Sequence, residues 1–460
     1  MRASHTAGGV SVRFDEPNLV SCAGVVPVLR LAERAGLHEA ADRRVRLPRA
    51  AGSAGANPGA KITSVVAGMV AGADSIDDLG VIRHGGLSRL FGGIRAPSTL
   101  GTFLRGFTWG NVRQLDVVAR ETLTGLARNA PLLPGAEVYA FLDVDSTIEQ
   151  VYGYQKQGAE YGYTRVRGLH PLLATVSTPI AAPVIAGTRL RRGGAASAKG
   201  AAGFVAEAIT TARQAGATGT LLARMDSAFD SHAVVTTCVR AGVRFSITTK
   251  QTRPVRTAIA AIDPDGWVPI RYPNAIYDED SGQWISDAQI AETTYTAFRS
   301  RRKSEQITLR LIVRRVKDKN VPDRQGELFT AWRYHAFITD STVELVQAEK
   351  HHREHAIIEQ VNADLKDSAL AHLPSGSFAA NAAWLALAAI AHNLTRAAGA
   401  LASLFHATAR TGTIRRHLIT LPARITRRSR RITLRLPANW PHRDAFEGLF
   451  TATHAPPTRT

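Results

Sequence analysis

The chain has 460 residues, 45% of them hydrophobic, and its 57 lysines and arginines outnumber 38 aspartates and glutamates for a formal charge of +19. That length and apolar content allow two to four domains with a sizeable core and exclude a disordered chain. The cationic excess calls for a polyanionic partner, nucleic acid before a membrane surface, since no amphipathic or lipidated membrane anchor is evident.

Residues 1–135 read as a mostly helical region. The opening MRASHTAGGVSVRFDEP lacks the apolar core of a secretory leader. Apolar spacing through Val25, Val28, Leu29 and Ala32, and again through Leu115, Val118, Ala119 and Leu126, predicts amphipathic helices. The glycine-rich stretch 50–60 divides the region, and Pro97-Ser98-Thr99 predicts a helix start. Arg83, His84, Arg89, Arg95, Arg105 and Arg113 make DNA binding the functional expectation, with solvated arginines on packing helices as the alternative. Cys22 and Cys238 form no motif, which fits a reducing cytoplasm and excludes a thiolate zinc site.

From Glu137 the pattern changes. Residues 138–142 predict a buried strand ending in Asp143 and Asp145, which share a face because they stand two residues apart. Carboxylates are costly to bury without a compensating cation, so the pair points to a divalent metal, with an Asx turn through Asp145, Ser146 and Thr147 as the alternative. Strands at 172–176 and 183–190 follow, then a helix over 197–215 with Val205, Ile209 and Ala212 on one face and Gly216 as its stop. A strand at 220–225 ends in Asp226, and a helix capped by Ser231 leads into a strand at 243–247. The order β-β-β-α-β-α-β, with acids closing the first and fourth strands, is the layout of an RNase H-like α/β core over 136–250. Those strands are neighbours in such a core, so Asp145 and Asp226 are expected to converge.

Residues 251–335 read as a β-rich insertion. Trp267 and Trp284 lie in a turn-rich stretch, Ile307, Leu309, Leu311 and Val313 alternate, and Trp332, Tyr334 and Ala336 alternate again. Arg299, Arg301, Arg302 and Lys303 form a basic run, either a solvated loop or a phosphate contact. Residues 336–405 are expected to return to the core. A helix from Gln347 carries the apolar stripe Ile358, Val361 and Leu365 beside a polar stripe of His352, His355, Glu359 and Lys366. Glu359 is thereby placed to reach the sheet; the alternative is a solvated acid paired with lysine. An alanine-rich helix over 379–404 reads as core packing, and the apolar run 382–391 is too short to span a bilayer. Residues 406–460 read as a basic tail, partly disordered and binding phosphates without sequence choice, with Arg415, Arg416, Arg424, Arg427, Arg428, Arg430 and Arg431.

LDVDST, QKQGAEYGY, RMDSAFD, YHAFITD and IIEQVNADLKDSALAHLPSG together resemble the DDE transposases of bacterial insertion sequences, actinobacterial-type members included, over roughly residues 101–401. That family has an RNase H-like core interrupted by a β-rich insertion before its glutamate and, around the glutamate, Tyr-x2-Arg-x3-Glu-x6-Lys. Glu359 and Lys366 fit that pattern, while His352 stands at the tyrosine and His355 at the arginine, with Arg353 a substitute for the latter. The resemblance implies cut-and-paste cleavage at transposon ends and strand transfer, by a hairpin in some relatives. It implies Asp145, Asp226 and Glu359 as the catalytic, metal-holding triad for two Mg²⁺ or Mn²⁺ ions roughly 4 Å apart, with Asp145 bridging and Asp143 behind it. Lys366, Arg353, His355, His352, Arg301 and Arg302 become DNA contacts, and Trp267, Trp284 and Trp332 candidates to stack on an extruded base. The implied partners are double-stranded terminal repeats, target DNA and a second copy of the chain, in the bacterial cytoplasm at the nucleoid.

Two other readings compete. His351-His352-Arg353-Glu354-His355 spells H-x-x-E-H, the inverted zinc-peptidase signature, with His351 and His355 as ligands. A DNA-binding protein with an inactive nuclease core is the other, although all three acids and Lys366 are present.

Overall fold

The computed structural model describes residues 4–5, 9–47, 55–162, 165–196, 198–273, 275–279, 283–317, 332–429 and 431–456. The chain divides into two compact units, Met1–Leu132 with Asp364–Thr460, and Leu133–Ala363.

The first unit begins with a short strand β1 (Leu19–Val20) and the helices α1 (Val25–Arg34), α2 (Leu37–Arg44), α3 (Pro58–Ala71), α4 (Pro97–Arg105) and α5 (Trp109–Asn129). Pro97 opens α4 as expected, since the missing N–H of proline is no loss in a first turn. Thr108 and Asn111 form a reciprocal capping box at the start of α5. Gly125 lets α5 touch the turn after α1: a Cβ there would lie 2.3 Å from the Ala35 carbonyl oxygen. Residues 50–54 of the expected dividing loop lie outside the described residues.

The second unit is built on one large mixed sheet. Its strands are β2 (Tyr139–Ser146), β3 (Glu149–Gln150), β4 (Glu160–Tyr161), β5 (Arg167–Thr178), β6 (Ala181–Arg192), β7 (Thr220–Met225), β8 (Arg244–Thr248) and β9 (Val268–Pro269). A separate pair, β10 (Ile276–Asp278) and β11 (Gln283–Ile285), precedes β12 (Ala288–Ala297), β13 (Ile307–Lys317) and β14 (Trp332–Thr339). Among the described residues the order is β3-β5-β2-β7-β8-β14-β13-β12-β9, with β4 and β6 also on β5. The two joins β2–β7 and β7–β8 are parallel, and the others are antiparallel. Parallel neighbours need crossovers, which α6 (Ala201–Gln214) and α7 (His232–Arg240) supply. Val205, Ile209 and Ala212 are buried on α6, which packs against β2, β5 and β6.

The long inserted strands β12–β14 do not form a sheet of their own. β14 pairs with β8, so β12–β14 prolong the core sheet, and the backbone groups of β8 that would face solvent at an edge are satisfied. After α8 (Arg253–Ala260) come α9 (Leu345–Arg353), which packs on β12 and β13, a tight turn Glu354–Ala356, and α10 (Ile357–Lys366).

The chain then rejoins the first unit, which corrects the expected boundaries. α11 (Phe378–Ala402) packs against α1, α3, α4 and α5 rather than completing the sheet unit, so the division falls after Ala363 and not near 405. It is mostly apolar and buried on every side over Ala380–Gly399, and such a helix must be surrounded to be stable. It is also long and apolar enough to cross a membrane by length and composition, beyond the short run read from the sequence, and 83% of its most apolar stretch is buried within the protein.

The basic tail is ordered over its described residues: α12 (Leu404–Thr408), α13 (Thr411–Ile414), a π turn Arg415–Ile419, the hairpin β15 (Ala423–Arg428) and β16 (Arg431–Arg435), and α14 (Arg443–His454). Ile414, Leu418, Ile419, Leu421, Ile425, Phe446 and Leu449 are buried, and β1 pairs with β15. Those apolar residues, spaced between arginines, supply a packed face that a disordered tail lacks.

Candidate active site

Three elements bring the acids together. β2 runs parallel to β7 with Asp143 opposite Arg224 and Val144 opposite Met225, so the next position on each chain is Asp145 and Asp226. β2 continues to Ser146, so both of its acids lie within the strand and the Asx-turn alternative fails. Asp226 follows the last residue of β7 and is exposed, its carboxylate accepting from Ala228 N at 2.9 Å. Glu359 is exposed in the first turn of α10, whose apolar residues Ile358, Val361 and Leu365 are buried as their spacing predicts.

The charges of these residues meet at Asp145. Its carboxyl is pushed above the ordinary value by burial first, and the negative charges of Asp226 and Glu359 push it further, against the backbone N–H of Ser146 and His355. The Ser146 N–H donates to Asp145 Oδ1 at 2.6 Å, and Asn362 Nδ2 lies 3.5 Å from Oδ2. Asn362 Oδ1 is buried without a hydrogen-bond partner.

Asp143 belongs to a different arrangement. It is fully buried, and Arg224 donates to it through Nε to Oδ1 and Nη2 to Oδ2, both at 2.7 Å. His355 Nδ1 lies 3.0 Å from the same Oδ1. Arg224 also donates to the His351 carbonyl at 2.7 Å and lies 3.9 Å over the Phe141 ring. Burial opposes ionisation of Asp143, but Arg224 and His355 together hold its carboxyl below the ordinary value.

A family model for the transposase DDE domain, group 1, matches residues 3–455. The chain belongs to this transposase family. It is therefore an enzyme of DNA cleavage and strand transfer, in a family that uses divalent metal ions. Comparison with curated proteins finds no match.

The remaining residues of the transposase divide between the site and the framework. His352 packs face to face on Phe337, with ring centroids 4.0 Å apart, and its nitrogens engage Ser246 Oγ at 2.7 Å and Thr248 Oγ1 at 3.0 Å. Burial, with His355 and nearby arginines, lowers it to about 3, so it is neutral, and both polar atoms are engaged within the protein; the expected DNA contact gives way to an anchor between α9 and the sheet. Arg353 pairs with buried Glu349 at 3.3 Å, which Arg314 also holds at 2.6 Å. His355 occupies the place expected of the family arginine but reaches Asp143. Lys366 is exposed at the last position of α10.

Arg301 and Arg302 are exposed in the turn between β12 and β13, with Arg301 paired to Glu305 at 3.1 Å. Trp267 and Trp332 both carry the Arg315 guanidinium on their rings, at 4.1 and 4.5 Å, as anchors of the inserted strands would. The Trp284 side chain lies outside the described residues.

The zinc-peptidase reading fails. His351 packs on Tyr139 and Phe141 and engages Gln347, and burial with Arg224 and Lys350 lowers it to about 4; His355 is turned to Asp143. These two histidines form no metal-ligating group among the described residues. Sequence reasoning missed Arg224 and Asn362. Arg224 stands two residues before Asp226 in RMDSAFD, and an arginine within the otherwise apolar run Leu221–Met225 is the available signal.

Proposed function

We propose that Asp145, Asp226 and Glu359 are the catalytic carboxylates and hold the divalent ions, Mg²⁺ or Mn²⁺, in a cut-and-paste transposition reaction on double-stranded terminal repeats. The observation that carries this reading is the crowding of negative charge at Asp145: burial raises its carboxyl first, and two further acids raise it beyond that, against the Ser146 N–H and His355. An all-oxygen donor set with a buried, unpartnered amide oxygen at Asn362 fits a hard divalent cation. Two such ions, when bound, supply charge stabilisation at the attacking and leaving oxygens of phosphodiester displacement.

The protein's own contribution is position. The Ser146 N–H and Asn362 hold Asp145 from opposite oxygens. Arg224 clamps Asp143 beneath it, which keeps β2 and β7 in the register that places Asp145 beside Asp226. His355 links that clamp to the segment that leads into α10 and Glu359. Lys366 is proposed to contact a phosphate beside the scissile bond, with Arg353, Arg301 and Arg302 as further backbone contacts. The sheet order β5-β2-β7-β8 with two parallel joins supports an RNase H-like core, and β12–β14 correspond to the insertion before the glutamate. The helical first unit is proposed to bind DNA ends, and dimerisation on paired ends and the base-stacking role of the tryptophans remain part of the same proposal.

The test is cleavage of a labelled duplex carrying the element's terminal repeat, with Mg²⁺ or Mn²⁺, by the unaltered protein and by Asp226→Ala and Glu359→Ala. Metal-dependent nicking at the repeat boundary that disappears in both variants supports the assignment; cutting that survives both substitutions overturns it.

A further inference from the structure

A second cluster of ligating side chains lies in the first unit, among residues that the transposition chemistry does not use. His406 on α12, His417 in the π turn and His442 just ahead of α14 each offer a ring nitrogen, and these atoms all lie within 4.8 Å of one another. His406 Nε2 is 3.2 Å from His417 Nδ1, close to the ~3.3 Å edge of a tetrahedron with metal–nitrogen bonds of about 2.05 Å. The His417 and His442 rings stack at 3.6 Å, and the His406 ring stands nearly perpendicular to both, at 84° and 90°.

The surroundings are those of ligands held in place. Ser403 Oγ lies 2.8 Å from His406 Nδ1, and in the tautomer where that nitrogen donates to the hydroxyl the Nε2 lone pair is left for the cluster. Metal-bound histidines commonly show such an outer partner. Trp440 Nε1 donates to the His417 carbonyl at 3.0 Å, tying the segment that carries His442 to the turn that carries His417. That turn is of the π type, which is rare and concentrates at functional sites. Burial lowers His406 to about 4 and also lowers His417 below its ordinary value. A single N–H···N bond between His406 and His417 accounts for two of the rings and leaves the third unexplained.

We propose that His406, His417 and His442 bind one divalent transition metal of the zinc type, with water completing a four-coordinate site. Three imidazoles suit Zn²⁺, Cu²⁺ or Ni²⁺ and not Mg²⁺, so the site is chemically distinct from the carboxylate set. Its role is structural. His417 and His442 bracket the hairpin β15–β16, on which Arg424, Arg427, Arg428, Arg431 and Arg435 are exposed, so the ion clasps the base of that arginine-bearing hairpin.

The experiment uses the full-length protein stripped by chelator and titrated with Zn²⁺ in excess Mg²⁺, with Co²⁺ as a spectroscopic substitute. One Zn²⁺ per chain, a visible tetrahedral-type Co²⁺ spectrum, and a zinc-dependent rise in Tm are expected. His442→Gln, at a half-buried position, is expected to lose all three while retaining the far-ultraviolet circular dichroism and the metal-free Tm of the unaltered protein. His406→Gln should behave alike, and if it does not fold, His442→Gln decides. Glu359→Ala should bind zinc unchanged. The proposal is overturned if the folded, unaltered protein takes up no stoichiometric zinc, or if binding survives His442→Gln.

Discussion

Asp143 and Asp145 are the same residue type on the same face of one strand, two positions apart, and their surroundings give them opposite characters. Arg224 meets Asp143 with two hydrogen bonds of 2.7 Å and His355 adds a third partner, so its charge is satisfied and its carboxyl lies low. Asp145 faces two other acids and is raised by burial and by their charge. A buried carboxylate becomes framework when a cation is built into the fold, and is left in need of a cation from outside when the fold supplies more acids instead.

The largest expected effect is on chemistry without an effect on the fold. Asp226→Ala and Glu359→Ala remove exposed side chains, so each should slow metal-dependent cleavage by at least ~10³-fold with Tm close to that of the unaltered protein. A large drop in Tm would mean that these acids belong with Asp143 rather than opposite it.

Next comes the paired layer. Arg224→Met strands Asp143 and the His351 carbonyl in the interior and should cost about 3–5 kcal/mol in chemical denaturation. Asp143→Leu combined with Arg224→Met should recover a substantial part of that loss, because no unpaired charge remains. Additive losses in the double variant would show that the pair is not a unit.

A smaller effect separates histidines from acids by pH. His352 is lowered to about 3 and His351 and His170 to about 4, so below pH 6.5 the unfolded chain takes up protons that these buried rings refuse. Stability should therefore fall as pH drops from 6.5 toward 4, by up to about 1.4 kcal/mol per pH unit for each such ring. Urea midpoints measured across that range should fall less steeply in His352→Gln; an unchanged slope would place that ring in solvent.

The smallest effect concerns Asp145 itself. A carboxyl raised on folding lowers stability as pH rises from the ordinary carboxylate range through its folded value, and the deficit persists at neutral pH. Without divalent metal, Asp145→Asn should therefore raise Tm slightly at pH 7. Added Mn²⁺ should raise Tm in the unaltered protein and leave the variant unmoved, and a fall in Tm for the metal-free variant would break the contrast with Asp143.

Much of the second unit was legible in the sequence because its elements announce themselves locally. Thr220–Met225 is a short, mostly apolar strand closed by Asp226, Ser231 accepts from Val234 N at the start of α7, and the stripe Ile358, Val361 and Leu365 repeats at helical spacing. The boundary at Ala363, the sharing of one sheet by core and insertion, and the ordered tail were not legible. Each depends on pairings between distant segments, β14 with β8 and β1 with β15, which no local period encodes.

What the sequence by itself determined about this transposase is a set of candidates: three acids on predictable elements, in a chain whose cationic excess calls for a polyanionic partner. Only the tertiary structure decided what surrounds each one. Arg224 stands 81 positions from Asp143, and His417 and His442 are separated by a whole hairpin. Whether a carboxylate or an imidazole is a strut or a ligand depends on the charge and hydrogen bonds that folding brings to it, and those partners are set by strand register and packing, not by spacing along the chain.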